Sequence, residues 1–403
     1  MLGRAAIAVA VVVLATVAAF FGLAARLAVA AFFGLAARLA GARLNRVDTR
    51  RRPPPVSDRA RQLHASLRIV DLHDDLLLWA RDPLRCSAAG HSDLPRLVAG
   101  NVAVEIFSTV TKVPRRQDHL RNSADADAVT LLAIAARWPP RTWRGLLARA
   151  LHQAARLRVA AARSGGRLVI ASSRQELSSA LRERAARPDG DRCVVAILST
   201  EGLHAIEGRL EHVDTLFAHG FRCAGLTHFS DNEVAGAAHG VVQGGLTPLG
   251  RDVVRRMEAL RMIVDVAHAS PRAVDDVLEM ATRPVLVSHT GVQELCPGPR
   301  NLSDAQLRRI AAHGGLVGIG FWDGAVGDIT PRGIAASIRH AVEVAGVEHV
   351  ALGSDWDGAV TVAIDAARLE TLTQALLDVG FPEEQIRAIM GENALRFLLA
   401  SLP

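Results

Sequence analysis

The sequence predicts a parallel (β/α)₈ barrel carrying an N-terminal transmembrane or signal-anchor helix. Three observations lead there. Eight short apolar, β-branched runs alternate with stretches of helical spacing, the pattern of βα units closing on themselves. Six of those runs end in a histidine or a carboxylate. An open doubly wound sheet would need a glycine-rich phosphate loop after its first strand, and His73-Asp74-Asp75 stands there instead.

The N-terminus comes first. Ala5 to Ala25 is 21 residues without a charge, enough to span a bilayer as a helix. A 12-residue block, Val17–Ala28, repeats identically at Val29–Ala40 and lengthens the apolar region beyond a signal peptide. Residues 1–42 therefore read as an anchor at a cell membrane, with export after cleavage near Ala40-Gly41-Ala42 as the other reading. Orientation stays open. Arg26, Arg38, Arg43, Arg46 and Arg50–Arg52 follow the span and favour a cytoplasmic C-terminal side, whereas a signal sequence would export it. Residues 43–55, with Arg50–Pro55 (RRRPPP), read as a linker, and the barrel domain covers 56–403.

Ile69-Val70-Asp71-Leu72 is the first strand, ending at His73 and Asp75, which share a side because alternate residues of an extended chain point together. Asn101–Thr109 is the second. Residues 117–163 read as helices. Ala128 to Gln175 contains no acidic residue and recurrent arginine, which reads as the solvated face of barrel helices rather than a nucleic-acid surface. The net charge of +6 comes almost wholly from arginine, Lys112 being the sole lysine, so no nucleic-acid partner is expected. Cys193–Thr200 ends at Glu201, and Phe221–Thr227 ends at His228. Thr247-Pro248 caps a helix whose apolar residues Leu249, Val253, Met257 and Leu260 keep helical spacing. Met262–Ala267 ends at His268, Arg283–Ser288 at His289. Leu316–Phe321 follows a helix capped by Ser303, and His349–Ser354 ends at Asp355. The four cysteines form no C-x-x-C pair, so a zinc ribbon is excluded; Cys193 and Cys223 read as core residues.

Chemistry in such barrels gathers at the carboxyl ends of the strands. Three histidines and three carboxylates exceed what one tetrahedral ion takes, which implies two metals. Two ions about 3.5–4 Å apart need a bridging anion. Glu201 is the candidate bridge, because Lys112 follows a strand without ligands and does not suit a carbamate. A hydroxide between two such ions forms near neutral pH and is a nucleophile. Arg300, in a loop after the His289 strand, could grip a substrate carboxylate bidentately, or could cap a helix or pair with Asp304. These residues alone do not separate metal ligand from proton shuttle for Asp355.

The residues from about Leu67 to Leu398 resemble the membrane (renal-type) dipeptidases, zinc peptidases on a (β/α)₈ barrel. The resemblance is carried by Asp71–Leu76 (DLHDDL), Thr200–Gly202 (TEG), Leu226–His228 (LTH) and Gly245–Gly250 (GLTPLG). It continues through Val264–Ser270 (VDVAHAS), Val287–His289 (VSH), Pro299–Leu302 (PRNL) and Gly353–Gly358 (GSDWDG). It implies two zinc ions per chain: His73 and Asp75 on one, His268 and His289 on the other, and Glu201 bridging. His228 would polarise the substrate carbonyl, Asp355 would shuttle the proton, and Arg300 would hold the C-terminal carboxylate of a dipeptide. A homodimer is also implied. The family usually has glycine at Leu72 and asparagine at Asp74; the sequence reading puts the extra Asp74 charge beside the metals. The competing readings are another metal hydrolase on the same barrel, acting on N-acyl amino acids, lactones or amines to be deaminated, and an inactive membrane-tethered binding protein.

Overall fold

The computed structural model describes residues 34–35, 37–50, 55–118 and 120–403. The apolar run Ala5–Ala25 lies outside these residues, as does most of the duplicated block. Among the described residues no helix is long and apolar enough to cross a membrane.

Among the described residues there are eleven strands: β1 (Arg46–Val47), β2 (Ile69–Asp74), β3 (Val102–Phe107), β4 (Leu168–Ile170), β5 (Val194–Thr200), β6 (Phe221–Gly225), β7 (Ile263–Asp265), β8 (Leu286–Thr290), β9 (Leu316–Ile319), β10 (Val350–Leu352) and β11 (Thr361–Val362). Eight of them run parallel in the order β3-β2-β10-β9-β8-β7-β6-β5, and β3 pairs with β5 to close the ring. The barrel is the predicted one. It adds a detail the sequence reading missed: β4 pairs with the first half of β5, while the second half of β5 pairs with β6.

Alternation along the strands sorts the side chains into two layers. Val70, Leu72, Val104, Ile106, Val195 and Ile197 pack outward against helices, including Leu395 and Leu398 of the helix Asn393–Ser401. Leu72 thus belongs to the helix-facing core, away from the barrel interior. The interior is polar near its carboxyl end. The carboxylate of Asp71 accepts from the Ser354 amide (2.7 Å) and hydroxyl (2.6 Å), tying β2 to the end of β10. That of Asp265 accepts from the amides of Ala267 and Ser288, both at 3.0 Å, tying β7 to β8. Gly353 lets β10 close in on β8, since a Cβ there would lie 1.9 Å from the Ser288 carbonyl oxygen.

The capping signals are realised. Thr247 caps Pro248–Ala259 and Ser303 forms a capping box with Gln306. All four cysteines are free, and Cys193 and Cys223 are buried.

The arginine-rich helix Leu146–Arg163 is only partly a solvated face. Arg149 is fully buried and donates to the carbonyls of Thr142, Thr111 and Trp143, to Asp127 and to the Thr130 hydroxyl. Arg156 reaches the carbonyls of Leu77, Trp79 and Arg81, in the loop that leaves β2. A buried cation with every donor used is costly to delete, because its partners stay behind unpaired. Arg149→Met should therefore destabilise the fold by about 3 kcal/mol, read as a lower urea midpoint; a shift under about 1 kcal/mol would contradict this account.

Candidate metal centre and active-site cavity

The strand ends place His73 (in β2), Asp75 (after β2), Glu201 (after β5), His228 (after β6), His268 (after β7), His289 (in β8) and Asp355 (after β10) at one end of the barrel. Glu201 is the hub. Its Oε1 lies 2.9 Å from His268 Nε2, 3.4 Å from His289 Nε2 and 3.5 Å from His73 Nε2. Its Oε2 lies 3.3 Å from His228 Nε2. His73 Nε2 is 3.5 Å from Asp75 Oδ1, and the Nε2 atoms of His268 and His289 are 3.0 Å apart. Donor atoms of His73, Asp75 and Asp355 also fall within 4.8 Å of one another. All seven residues are buried.

The separations of 3.3, 3.4 and 3.5 Å suit coordination better than hydrogen bonding, while the His268 contacts at 2.9 and 3.0 Å are also hydrogen-bond lengths. Ligands bonded at roughly 2.0–2.1 Å to one tetrahedral ion stand about 3.3 Å apart. The protein itself leaves His73 Nε2, Asp75 Oδ1 and Glu201 Oε2 buried without a hydrogen-bond partner. Buried polar atoms are ordinarily paired, and orphans converging on one point fit a cation-binding site. The donor set, imidazole nitrogen and carboxylate oxygen, fits zinc or a similar divalent metal.

Electrostatics point the same way. Burial opposes a charge on His73, but Asp75 and Glu201 outweigh it and raise its pKa to about 10. Burial, then Asp75, lifts Glu201 well above the carboxylate range. Burial pushes Asp355 up to about 8, with His73 opposing. Burial holds His228, His268 and His289 well below the usual histidine value. Packed carboxylates forced toward neutrality beside neutral imidazoles are what a cation would resolve.

Supporting groups orient the donors. Ser288 Oγ lies 2.9 Å from His289 Nδ1 and 3.4 Å from His73 Nδ1. His228 Nδ1 donates to the Lys112 carbonyl at 3.2 Å, so Lys112 meets the site through its backbone. The Nε2 of His228 can then donate only when the ring is doubly protonated. His268 (φ 62°), Asp355 (φ 60°) and Asp357 (φ 62°) hold left-handed backbone, strain of the kind that concentrates at functional positions.

Arg300 is also present. Its Nη2 donates to the His289 carbonyl (2.6 Å), its buried Nε has no partner, and its guanidinium lies 5.7 Å from the centre of the Trp322 ring. Burial lowers its pKa to about 10, so it stays charged at neutral pH. It does not pair with Asp304, which instead meets His340 and Arg308. Asp74 departs from expectation. Its side chain turns away from the donors; Oδ1 accepts from the Leu76 amide at 2.7 Å, and its charged neighbours are Asp357 and Arg81. The strand alternation that aligns His73 with Asp75 aims the residue between them elsewhere.

Sequence reasoning missed the loop's own support. The Asp357 carboxylate takes the Arg81 guanidinium, the His91 amide (3.0 Å) and the Ser92 hydroxyl (3.0 Å), and Trp79 Nε1 donates to its carbonyl (2.6 Å). The only signal was Asp357 in the GSDWDG run; Arg81 and His91 carry none.

A cavity of about 870 Å³ opens over this centre, lined by Asp75, Glu201, His228, His268, Arg300 and Asp355 together with apolar residues. Its size suits a small organic ligand.

The membrane dipeptidase model, peptidase family M19, matches residues 57–400. An uncharacterized dipeptidase of Schizosaccharomyces pombe is 27% identical over 380 residues, covering 87% of this chain and 84% of its own. A dipeptidase of Clonostachys rogersoniana is 28% identical over 358 residues, covering 84% and 86%. The crystal structure of a metallo peptidase from Rhodobacter sphaeroides, liganded with a phosphinate mimic of the dipeptide L-Ala-D-Ala, superposes with a TM-score of 0.67. It is 25% identical and covers 84% of this chain and 99% of its own. With a barrel of this topology and buried metal-type donors at its carboxyl end, the chain belongs to the membrane dipeptidase family and is a metallo-dipeptidase.

Proposed function

We propose that the protein hydrolyses dipeptides with two zinc ions, Glu201 shared between them, and that Arg300 holds the substrate's C-terminal carboxylate. The observation that carries this reading is the set of buried donors converging on Glu201 while three of their atoms lack any partner. His73 and Asp75 would hold one ion, and His268 and His289 the other. Bound there, the ions would supply Lewis acidity and ionise a water near neutral pH.

The protein's own groups do the rest. Arg300, charged, half-buried and with a buried, unpartnered Nε, would bind a carboxylate through charge-assisted hydrogen bonds. That fixes the scissile bond relative to the donors. His228 lines the cavity and would take a second proton from solvent as substrate binds, against the effect of burial, so that Nε2 donates to the substrate's carbonyl oxygen as negative charge develops there. Asp355 would take the proton from the attacking water and pass it to the leaving amine. It lines the cavity together with Arg300 and His228, where the substrate would lie.

The test is a substrate panel on metal-loaded protein. Free dipeptides should be cleaved, while N-acetyl amino acids, lactones and C-terminally amidated dipeptides should not. Efficient turnover of the amides would remove the carboxylate clamp, and turnover of N-acetyl amino acids or lactones alone would favour another hydrolase chemistry. Arg300→Ala should raise KM for dipeptides about 10- to 100-fold, the worth of a hydrogen-bonded charge, with bound metal unchanged.

A further inference from the structure

We infer that residues 37–48, the chain just before the matched barrel domain, form a wall of the active-site cavity and select dipeptides with bulky apolar side chains. This rests on the dipeptidase reading and names its substrate class. Residues 37–44 are helical, and Ala37, Ala40 and Leu44 line the same cavity as Glu201 and Arg300. Trp79, Leu120 and Leu132 line it as well. The metal-type donors are deeply buried while Leu44 is 46% exposed, so this wall bounds the outer part of the cavity.

The segment is held in place by specific contacts. A Cβ on Gly41 would lie 3.0 Å from the Trp79 ring, so the helix rests directly on that indole. Asn45 accepts from the Ala359 amide at 2.8 Å through its side-chain oxygen. β1 pairs in parallel with β11, Arg46 opposite Thr361 and Val47 opposite Val362, and the Asp48 amide donates to the Val362 carbonyl at 2.7 Å. His91 Nε2 lies 3.1 Å from the Arg46 carbonyl oxygen. The partners at 359–362 lie in the loop that also carries Asp355, so wall and proton-handling residue share one support.

The wall's chemistry sets the preference. It presents methyl and isobutyl groups and an indole, with no charge from residues 37, 40 or 44. The cavity of about 870 Å³ is far larger than a dipeptide of two glycines fills. A charged substrate side chain would lose hydration against this wall without gaining a partner from residues 37, 40 or 44, although Arg115 and Asp323 also line the cavity, whereas an apolar one would release water from both. Each methylene that fits an apolar pocket changes kcat/KM by about 10-fold or more.

The experiment compares kcat/KM for Leu-Leu, Gly-Gly and Asp-Asp on the full chain loaded with zinc. Wild type should favour Leu-Leu over both others by at least about 10-fold. Ala40→Trp, which fills the wall, should lower the Leu-Leu to Gly-Gly ratio by about 10-fold or more; Ala40→Leu should lower it in the same direction if the larger change disturbs folding. Leu39→Gln, on the exposed side of the helix, should leave the ratio as in wild type. A wild type without apolar preference, or a ratio that neither Ala40 variant moves, overturns this inference and leaves the dipeptidase reading standing. A wild type that cleaves none of the three overturns that reading, and this inference with it.

Discussion

Glu201→Ala should abolish dipeptide hydrolysis, lowering kcat/KM by at least about 1,000-fold, roughly 4 kcal/mol of transition-state stabilisation. Glu201 Oε1 is within 3.5 Å of the Nε2 atoms of His73, His268 and His289, and among the described residues no other carboxylate pairs with all three. Removing it leaves the two proposed ion positions without a shared anion, so two closely spaced cations would repel each other. Metal content should fall below two equivalents. The fold should survive, because in the metal-free protein Glu201 is a buried group with Oε2 unpartnered, a site of stored cost rather than of stability. The metal-free variant should therefore melt within about 1 kcal/mol of metal-free wild type. Adding zinc at about 100 times its dissociation constant should stabilise wild type by about 2.7 kcal/mol and the variant by much less. Full activity with two bound ions would overturn the shared-ligand arrangement; an unfolded variant would contradict the view that this carboxylate serves function at the expense of stability.

The legibility of this centre in the sequence has a physical basis. Strands of a closed parallel barrel are buried on both faces, so they read as short apolar runs, and their carboxyl ends all open on one rim. His73, Glu201, His228, His268 and Asp355 were visible because each interrupts or follows such a run. His289 was visible too, although it lies within β8 and not after it. What escaped depends on tertiary contact alone. β4 is three residues long and exists by pairing with β5. Arg149 and Arg156 share the spacing of solvated helix arginines, and only the fold brings carbonyls within their reach. Asp74 was expected beside the metals from its position in the chain, but alternation turns it away. Asn45–Asp48, read as linker from composition, is tied to the Asp355 loop by β pairing whose partner lies more than 300 residues on. Short-range pattern finds strands and their ends; partners distant in sequence leave no local trace.

Asp355→Asn should lower kcat by about 100- to 10,000-fold, the range for loss of a positioned proton-transfer group, with KM changed by less than about threefold. The substitution is well matched to the site. Asp355 holds φ 60°, and asparagine is among the few residues that tolerate this left-handed region. Its carboxyl packs tightly on Gly358, where a Cβ would lie 2.0 Å from Oδ1, so an isosteric side chain is needed. The amide keeps the shape and loses the ability to take and return a proton. The same variant decides between two roles that geometry alone leaves equal, since Asp355 has a donor atom within 4.8 Å of donors of His73 and Asp75. A proton shuttle predicts two ions retained and kcat lost. A metal ligand predicts loss of an ion together with the rate, and partial rescue of both by excess zinc. The first outcome is expected: His73, Asp75 and Glu201 already offer three donors on that side, leaving Asp355 on the cavity wall with Arg300, where a leaving amine would need its proton.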